Sequence, residues 1–477
     1  MTREAADLMK ESLKTAAAAL PEDLEDMALR DDYALDPAYI EMVVDAADRN
    51  DGARVKELVG ALHPADVADL MGFLTADYRE EIIPQLDPSA LADILSELED
   101  NIREEVLEAV PSAILAKALE ELDSDDAADV VDDLDKRKRA QVLAAMPETD
   151  RAAIETALAY EDETAGRLMQ REVLAAPQFW TVGQTIDHVR ASTEELPELF
   201  FDVYVVDPAY TPVGAVPVST LLRAKRETPL HEIMEPVNEI TVDQDQEDVA
   251  YIFDKYHLIS APVVDDAGRL VGQITVDDIV GVISEETEED ILALAGVSDA
   301  GRDASVWGIA RSRLPWLVVN TVTAALAASV INAFQHEIAA LLTLAVLMPV
   351  VASLGGNAGT QTLAVAVRAL ASRELNAANA TRIVLREMSV GVLNGLTLAL
   401  LLTAAVYFWQ HNIRLCITLA LALLINLFVA SLAGILVPLT LDRLGRDPAV
   451  SSSVFVTFVT DFMGFLSFLG LAALILL

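Results

Sequence analysis

Residues 350–362 read VVASLGGNAGTQT, and their reading decides how the chain is organised. Three glycines, an asparagine and a glutamine lie there between apolar runs long enough to cross a bilayer. Inside a membrane, loosened or polar helix is tolerated only where it lines a water-filled path or is buried in protein. Working outward, apolar runs occur at about 314–335, 338–366, 387–409, 413–438 and 454–476. Each approaches or exceeds the roughly 20 residues that a helical span requires. The second and fourth runs are longer than that, which predicts tilt or a break.

Charge divides the chain in the same place. From Arg313 onward there are eight arginines, no lysine and six acids; before it there are 25 bases and 70 acids. The first part is therefore a strongly acidic body and the second a nearly uncharged apolar block. A formal net charge of −43 excludes a nucleic-acid partner, which needs a cationic face. The single cysteine, Cys416, excludes an intrachain disulfide and a CxxC metal site. No nucleophile–base arrangement and no P-loop sequence is present, so an enzyme is not expected. Residues 1–23 lack the apolar core of a secretory leader. Arg302, Arg311 and Arg313 precede the first span, Arg368, Arg373, Arg382 and Arg386 follow the second, and Arg443 and Arg446 follow the fourth. The alternate loops hold only Arg414. Positive loops favour the cytoplasm, so the N-terminus is expected inside and the C-terminus outside.

The acidic body repeats with a period near 24 over residues 55–160, as in HPADVADLMGFLTADYREEII (63–83) and DPSALADILSELEDNIREEVL (87–107). Each unit predicts two helices with a proline near a start, and such pairs stack into an α-solenoid. Asp123, Asp125, Asp126, Asp129, Asp132 and Asp133 read as solvated helix faces, or as groups that need a cation to screen them. After Thr164 strands are predicted, at 200–207 and within SAPVVDDAGRLVGQITVDDIVGVI (260–283), where a tight turn falls at Asp266–Gly268. A weaker copy covers 203–222. These two stretches resemble a pair of CBS domains, modules that commonly dimerise and often bind adenine nucleotides. A charged amphipathic segment then crowds Glu285, Glu286, Glu288, Glu289 and Asp290 into its first turns.

In the apolar block, Gly355, Gly356 and Gly359 let the helix loosen or let a neighbour approach closely. Asn357 and Gln361, at i and i+4, share one face. In the last span Asp461 is the only acid, and Thr457, Thr460, Asp461 and Gly464 are expected to form one polar stripe. An intramembrane carboxylate is costly and is a functional candidate by default. Asn394 and Asn426 read as helix–helix contacts. Oxygen donors without a Cys or His cluster suit a hard cation; Mg²⁺, Ca²⁺, Mn²⁺ and protons all remain open on these grounds.

The order of solenoid, CBS pair, acidic connector and five spans resembles the MgtE family of magnesium channels and transporters. The resemblance is strongest in SLGGNAGTQTLAVAVRAL (353–370), GRDPAVSS (445–452) and TDFMGF (460–465). It implies a multidomain chain: a cytoplasmic all-α solenoid (1–160), an α/β CBS pair (161–228 and 229–284), a connector or plug helix (285–312) and a five-helix α-helical transmembrane domain (313–477). It further implies a homodimer in the lipid bilayer of a bacterial inner membrane, Mg²⁺ as the ion, and ATP at the CBS pair. Asp461 matches the family's pore carboxylate, with Asn357 and Thr457 beside it and Gly355, Gly356 and Gly359 as the pore-helix break. Asp278, Glu286, Glu289 and Asp290 match regulatory Mg²⁺ ligands that close the pore when cytoplasmic Mg²⁺ is high. The chain departs from the pattern at Ser453, His257 and Gly281. A proton-coupled divalent cation carrier using Asp461 is the alternative.

Overall fold

The computed structural model describes residues 27–86, 90–191, 196–197, 199–297, 306–375, 379–450 and 452–476. The N-terminal stretch, Arg302, part of the connector and Ser451 of the GRDPAVSS loop lie outside the described residues. The chain forms two compact units, Met1–Ile283 and Ser284–Leu477.

Among the described residues the first unit begins with ten short helices: α1 (Pro37–Asp48), α2 (Gly52–Val59), α3 (Pro64–Phe73), α4 (Ala76–Ile82), α5 (Ala90–Glu97), α6 (Asp100–Ala109), α7 (Ser112–Leu119), α8 (Ser124–Asp132), α9 (Lys136–Ala145) and α10 (Glu148–Ala157). Helices this short are marginal alone and depend on tertiary packing. Their ends are set locally. Asp36 and Asp51 accept from the backbone N–H groups of Ala38 and Arg54, Asp135 accepts from those of Arg137 and Lys138, and Pro64 occupies the first turn of α3. Corresponding helices of successive repeats then pack on one another, α3 on α5, α7 on α9 and α8 on α10. Leu70, Leu95, Leu115, Val130 and Val131 share one buried core, the stacking expected of a solenoid.

After the four-residue helix α11 (Ala165–Leu168), the chain forms two small sheets of the same plan. In the first, β1 (Ala175–Pro177) pairs parallel with β2 (Asp202–Val206), which pairs antiparallel with β3 (Pro212–Pro217). In the second, β4 (Ile240–Thr241), β5 (Ser260–Val264) and β6 (Leu270–Thr275) repeat that order. Both sheets carry a register shift at the same place, Val205/Val206 and Val263/Val264, so the two halves are copies at the level of hydrogen bonding. Both hairpins are closed by an aspartate accepting two backbone N–H groups: Asp207 from Ala209 and Thr211, and Asp265 from Ala267 and Arg269. The second hairpin places Gly268 at φ 75°, whereas the first places Tyr210 at φ 66°. A tyrosine in the left-handed region is uncommon, which is why the first copy reads weakly in the sequence. Helices α12 (Val182–Ala191), α13 (Val218–Arg223) and α14 (Gln246–Tyr256) complete the pair.

The next helix, α15 (Val276–Leu294), is unbroken, so the second CBS copy and the start of the connector share one helix. The second unit contains α16 (Val306–Ala333), the short α17 (Gln335–Ala340), α18 (Thr343–Ala371), α19 (Ala380–Gln410), α20 (Ile413–Arg443) and α21 (Ser452–Ile475). Five of these are long and apolar enough to span a membrane. α20 is the hub, packing against α18, α19 and α21. The break expected in the second apolar run falls before the span, where Leu341 is extended between α17 and α18. α18 itself continues unbroken through Pro349, Gly355, Gly356 and Gly359. Gly355 and Gly359 therefore permit close packing here, and none of the three glycines interrupts the helix.

Candidate cation pathway and carboxylate clusters

α18 has two faces. Gly355, Gly359, Thr362, Leu363 and Ala366 are buried, whereas Ser353, Asn357, Thr360 and Gln361 are exposed along the opposite side. The buried face meets α21: a Cβ on Gly359 would lie 2.7 Å from a methyl of Val456 and 3.2 Å from that of Thr460. The absence of a side chain is thus what lets the two helices approach.

The polar stripe expected on α21 divides. Thr460 and Gly464 are buried, and the Thr460 hydroxyl donates to the Thr457 carbonyl at 2.9 Å. Thr457 is exposed and Asp461 is partly exposed. Thr457 and Asp461, one turn apart, remain on an accessible side, and Thr460 becomes a packing residue. Among the described residues, no group of three or more His, Cys, Asp or Glu is gathered to hold a metal. Among the described residues Asp461 is therefore a lone carboxylate of its span, with Thr457 one turn away, and not part of a gathered ligand set.

In the first unit, the acidic face of α8 is not simply solvated. Asp125 is buried, and its Oδ1 has no hydrogen-bond partner. Burial, followed by the nearby Asp278 and Asp126, pushes its carboxyl well above the ordinary range. Asp126 is pushed up to about 7, by burial first and then by Asp278, Asp123, Asp129 and Glu97. Asp278, in the first turn of α15, is pushed up to about 6, chiefly by burial. Its Oδ2 accepts from the Thr275 hydroxyl at 2.8 Å and the Thr275 N–H at 3.3 Å, which opposes the shift. Alongside, the Ser124 hydroxyl donates to Glu172 at 2.8 Å and accepts from the Arg171 N–H at 2.8 Å. Arg167 pairs with Asp132 at 3.1 Å and Asp129 at 3.3 Å. These contacts hold α8 against the CBS pair, and so hold carboxylates together that repel one another.

A cation would relieve that arrangement. The carboxyl groups are hard oxygen donors of the kind Mg²⁺ or Ca²⁺ prefers, and one oxygen of Asp125 is unpartnered, although among the described residues they are not gathered into a three-ligand site. Asp125 and Asp126 were not legible as site residues. Their signal is weak: an acid placed in register with buried Ala128 and Val131 rather than on the solvent face of α8.

The pH dependence follows from the sign of these shifts. The packed state binds protons more readily than the separated state, so packing is favoured as pH falls from about 7 towards 3.8 and disfavoured as pH rises. In full-length protein freed of divalent cations, protease cleavage between the solenoid and the CBS pair should be slower near about pH 5.5 than near about pH 8. Saturating Mg²⁺ should remove most of that difference. Cleavage rates that stay insensitive to both pH and Mg²⁺ would contradict this reading.

The other expected regulatory residues fall elsewhere. In the second unit, Asp290 has its carboxyl pushed up by burial, then by Asp447 and Glu286. Asp447, in the loop between α20 and α21, accepts from the Ala449 N–H at 2.7 Å. Nearby, Ala293 shares a buried cluster with Leu363, Val367, Ala449 and Val456. The end of α15 is thus seated on α18 and the entry to α21. Glu289 is exposed. Asp447 is a third residue that sequence reading did not assign to the site, although its loop, GRDPAVSS, was singled out.

A helical solenoid, a duplicated CBS module and an apolar five-helix domain whose last span carries an aspartate define a membrane transporter with a large acidic cytoplasmic-type body. Comparison with known proteins agrees. Residues 348–471 match the family profile described as divalent cation transporter, MgtE; residues 62–163 match the MgtE intracellular N domain, and 230–285 match a CBS domain. The chain is 35% identical over 334 residues to "Magnesium transporter MgtE" of Thermus thermophilus, covering 68% of this chain and 73% of the relative. It is 34% identical over 322 residues to the protein of that name from Enterococcus faecalis, covering 67% and 71%. A solved structure, the cytosolic domain of the Mg²⁺ channel MgtE in complex with ATP, aligns with a TM-score of 0.48 at 31% identity, over 51% of this chain and 99% of that one. The chain belongs to the MgtE family of divalent cation transporters.

Proposed function

We propose that the chain conducts Mg²⁺ through a path lined by Asp461, Asn357 and Thr457, and that cytoplasmic Mg²⁺ closes that path. The observation that carries the gating reading is the buried Asp125 carboxylate, with its unpartnered oxygen, beside Asp126 and Asp278. Mg²⁺ keeps several of its waters and is usually bound through one or two carboxylates, which suits a partly hydrated ion beside Asp461. On this reading cytoplasmic Mg²⁺ bridges acids within the solenoid–CBS body and around Asp290, Glu286 and Asp447. Loss of Mg²⁺ lets those acids repel and releases the end of α15 from α18 and α21. Asp278, Glu286, Glu289 and Asp290 keep their proposed regulatory role, with Asp125, Asp126 and Asp447 added.

The protein is proposed to act as a homodimer, because one Asp461 per chain gives a single carboxylate and a two-fold axis would double it. The N-terminus is proposed to be cytoplasmic and the C-terminus outside, on the arginine distribution. The domain limits 1–160, 161–228, 229–284, 285–312 and 313–477 are retained as proposed functional divisions. ATP is retained as a proposed ligand of the CBS pair; equilibrium binding of ATP to the full-length protein, with and without Mg²⁺, tests it, and no saturable binding would remove it.

The gating test is current through reconstituted protein as cytoplasmic Mg²⁺ is raised. Asp447→Asn should move half-inhibition to higher Mg²⁺ by about threefold to tenfold, as expected for loss of one charge facing the partly buried Asp290. An unchanged inhibition curve would separate Asp447 from the sensor.

A further inference from the structure

Asn426 lies in the middle of α20 and is fully buried. Its Nδ2 donates to the Val351 carbonyl of α18 at 2.8 Å. Its Oδ1 is buried without a partner. The amide fills a seat made by two glycines on two different helices. A Cβ on Gly464 of α21 would lie 2.9 Å from Nδ2, and a Cβ on Gly355 of α18 would collide with it outright. Gly355 stands two residues before Asn357, and Gly464 stands three residues after Asp461.

We infer that Asn426 is a positioning residue for cation permeation: its amide sets the spacing between the helix that carries Asn357 and the helix that carries Asp461. A packing role alone calls for an apolar side chain, because an amide oxygen left unpaired in an interior is destabilising. An amide there whose oxygen is unpaired is a polar spacer, keyed by one hydrogen bond to α18 and by the missing side chains of Gly355 and Gly464. Side-chain amides between membrane helices fix helix position and register. Here the register fixed is that of the two helices bearing the proposed pore oxygens. The inference rests on the reading of Asp461 as the pore carboxylate.

The test uses full-length protein in liposomes, with uptake of Mg²⁺ and of Ca²⁺ measured per folded protein. Asn426→Ala should change the Mg²⁺/Ca²⁺ uptake ratio by about threefold or more and raise half-saturation for Mg²⁺. Lost packing alone would lower the amount of folded protein and scale both fluxes together. Gly464→Ala keeps Asn426 but pushes its amide, and it should shift the ratio as well. Both ratios unchanged in folded variants would overturn the inference. Asp461→Asn separates the two layers. If it abolishes selective uptake while the Asn426 and Gly464 variants stay unchanged, only the positioning role fails. If it leaves selective uptake intact, the pore reading fails and takes the positioning role with it.

Discussion

Asp461→Ala is expected to remove Mg²⁺ current by at least about a hundredfold while leaving the protein folded in the membrane. The size follows from simple electrostatics. A carboxylate about 5 Å from a divalent cation, at an effective dielectric near 20, contributes about 7 kcal/mol of Coulomb attraction. Water replacing the carboxylate offsets part of that, and about 3 kcal/mol already corresponds to a hundredfold. Folding should survive because Asp461 is partly exposed rather than part of the packed face, which is formed by Val456, Thr460 and Gly464. Single-channel recording provides the measurement. Intact selective current in the variant would return Asp461 to a structural role. Slow uptake that requires a proton gradient, without unitary steps, would instead favour the proton-coupled carrier.

The second large effect is expected from neutralising the crowded carboxylates. With Asp126→Asn and Asp278→Asn together, the solenoid–CBS packing should become independent of divalent cations. Raising the Asp126 carboxyl from 3.8 to about 7 corresponds to an energetic penalty on the order of 4 kcal/mol for keeping it charged in the packed state. Removing that penalty, which comes from burial first and from repulsion second, should make the cation-free protein about as protease-resistant as the Mg²⁺-bound protein. It should also flatten the response of the current to cytoplasmic Mg²⁺. Retention of a full Mg²⁺-dependent protection step in the double variant would place the sensor elsewhere.

The architecture was largely legible because it rests on local and periodic signals. Five apolar runs became α16, α18, α19, α20 and α21, with ends shifted by several residues where charged turns continue a helix beyond the apolar stretch. The solenoid followed from a repeat, and the second CBS copy from alternating strands around Gly268. The first copy was fainter because Tyr210, not glycine, occupies the left-handed turn position.

The site was legible only in part. Chemical singularity exposes a residue such as Asp461, the lone acid of its span, and sequence alone is enough to nominate it. Asp125 and Asp126 stand out in the sequence only as members of an acidic cluster, and Asp447 only as part of the GRDPAVSS loop; which of these acids are crowded is not marked along the chain. Their character comes from burial against Asp278 and from proximity to Asp290, at separations in sequence of more than 150 residues. The same holds for the division of the α21 stripe. Helical spacing places Thr457, Thr460, Asp461 and Gly464 near one another, but only the packing of α18 and α20 decides that Thr460 and Gly464 turn inward while Thr457 and Asp461 stay accessible.

By itself, then, the sequence determined the number of membrane helices, the repeat character of the acidic body and the identity of the intramembrane carboxylate. Each of these depends on hydrophobic run length, short-range periodicity or residue type, all of which are written along the chain. Tertiary structure decided which acids crowd one another, which face of α18 is packed, and where Asn426 seats between two glycines. Those are relations between elements far apart in sequence, set by which surfaces exclude water and how closely two helices can approach.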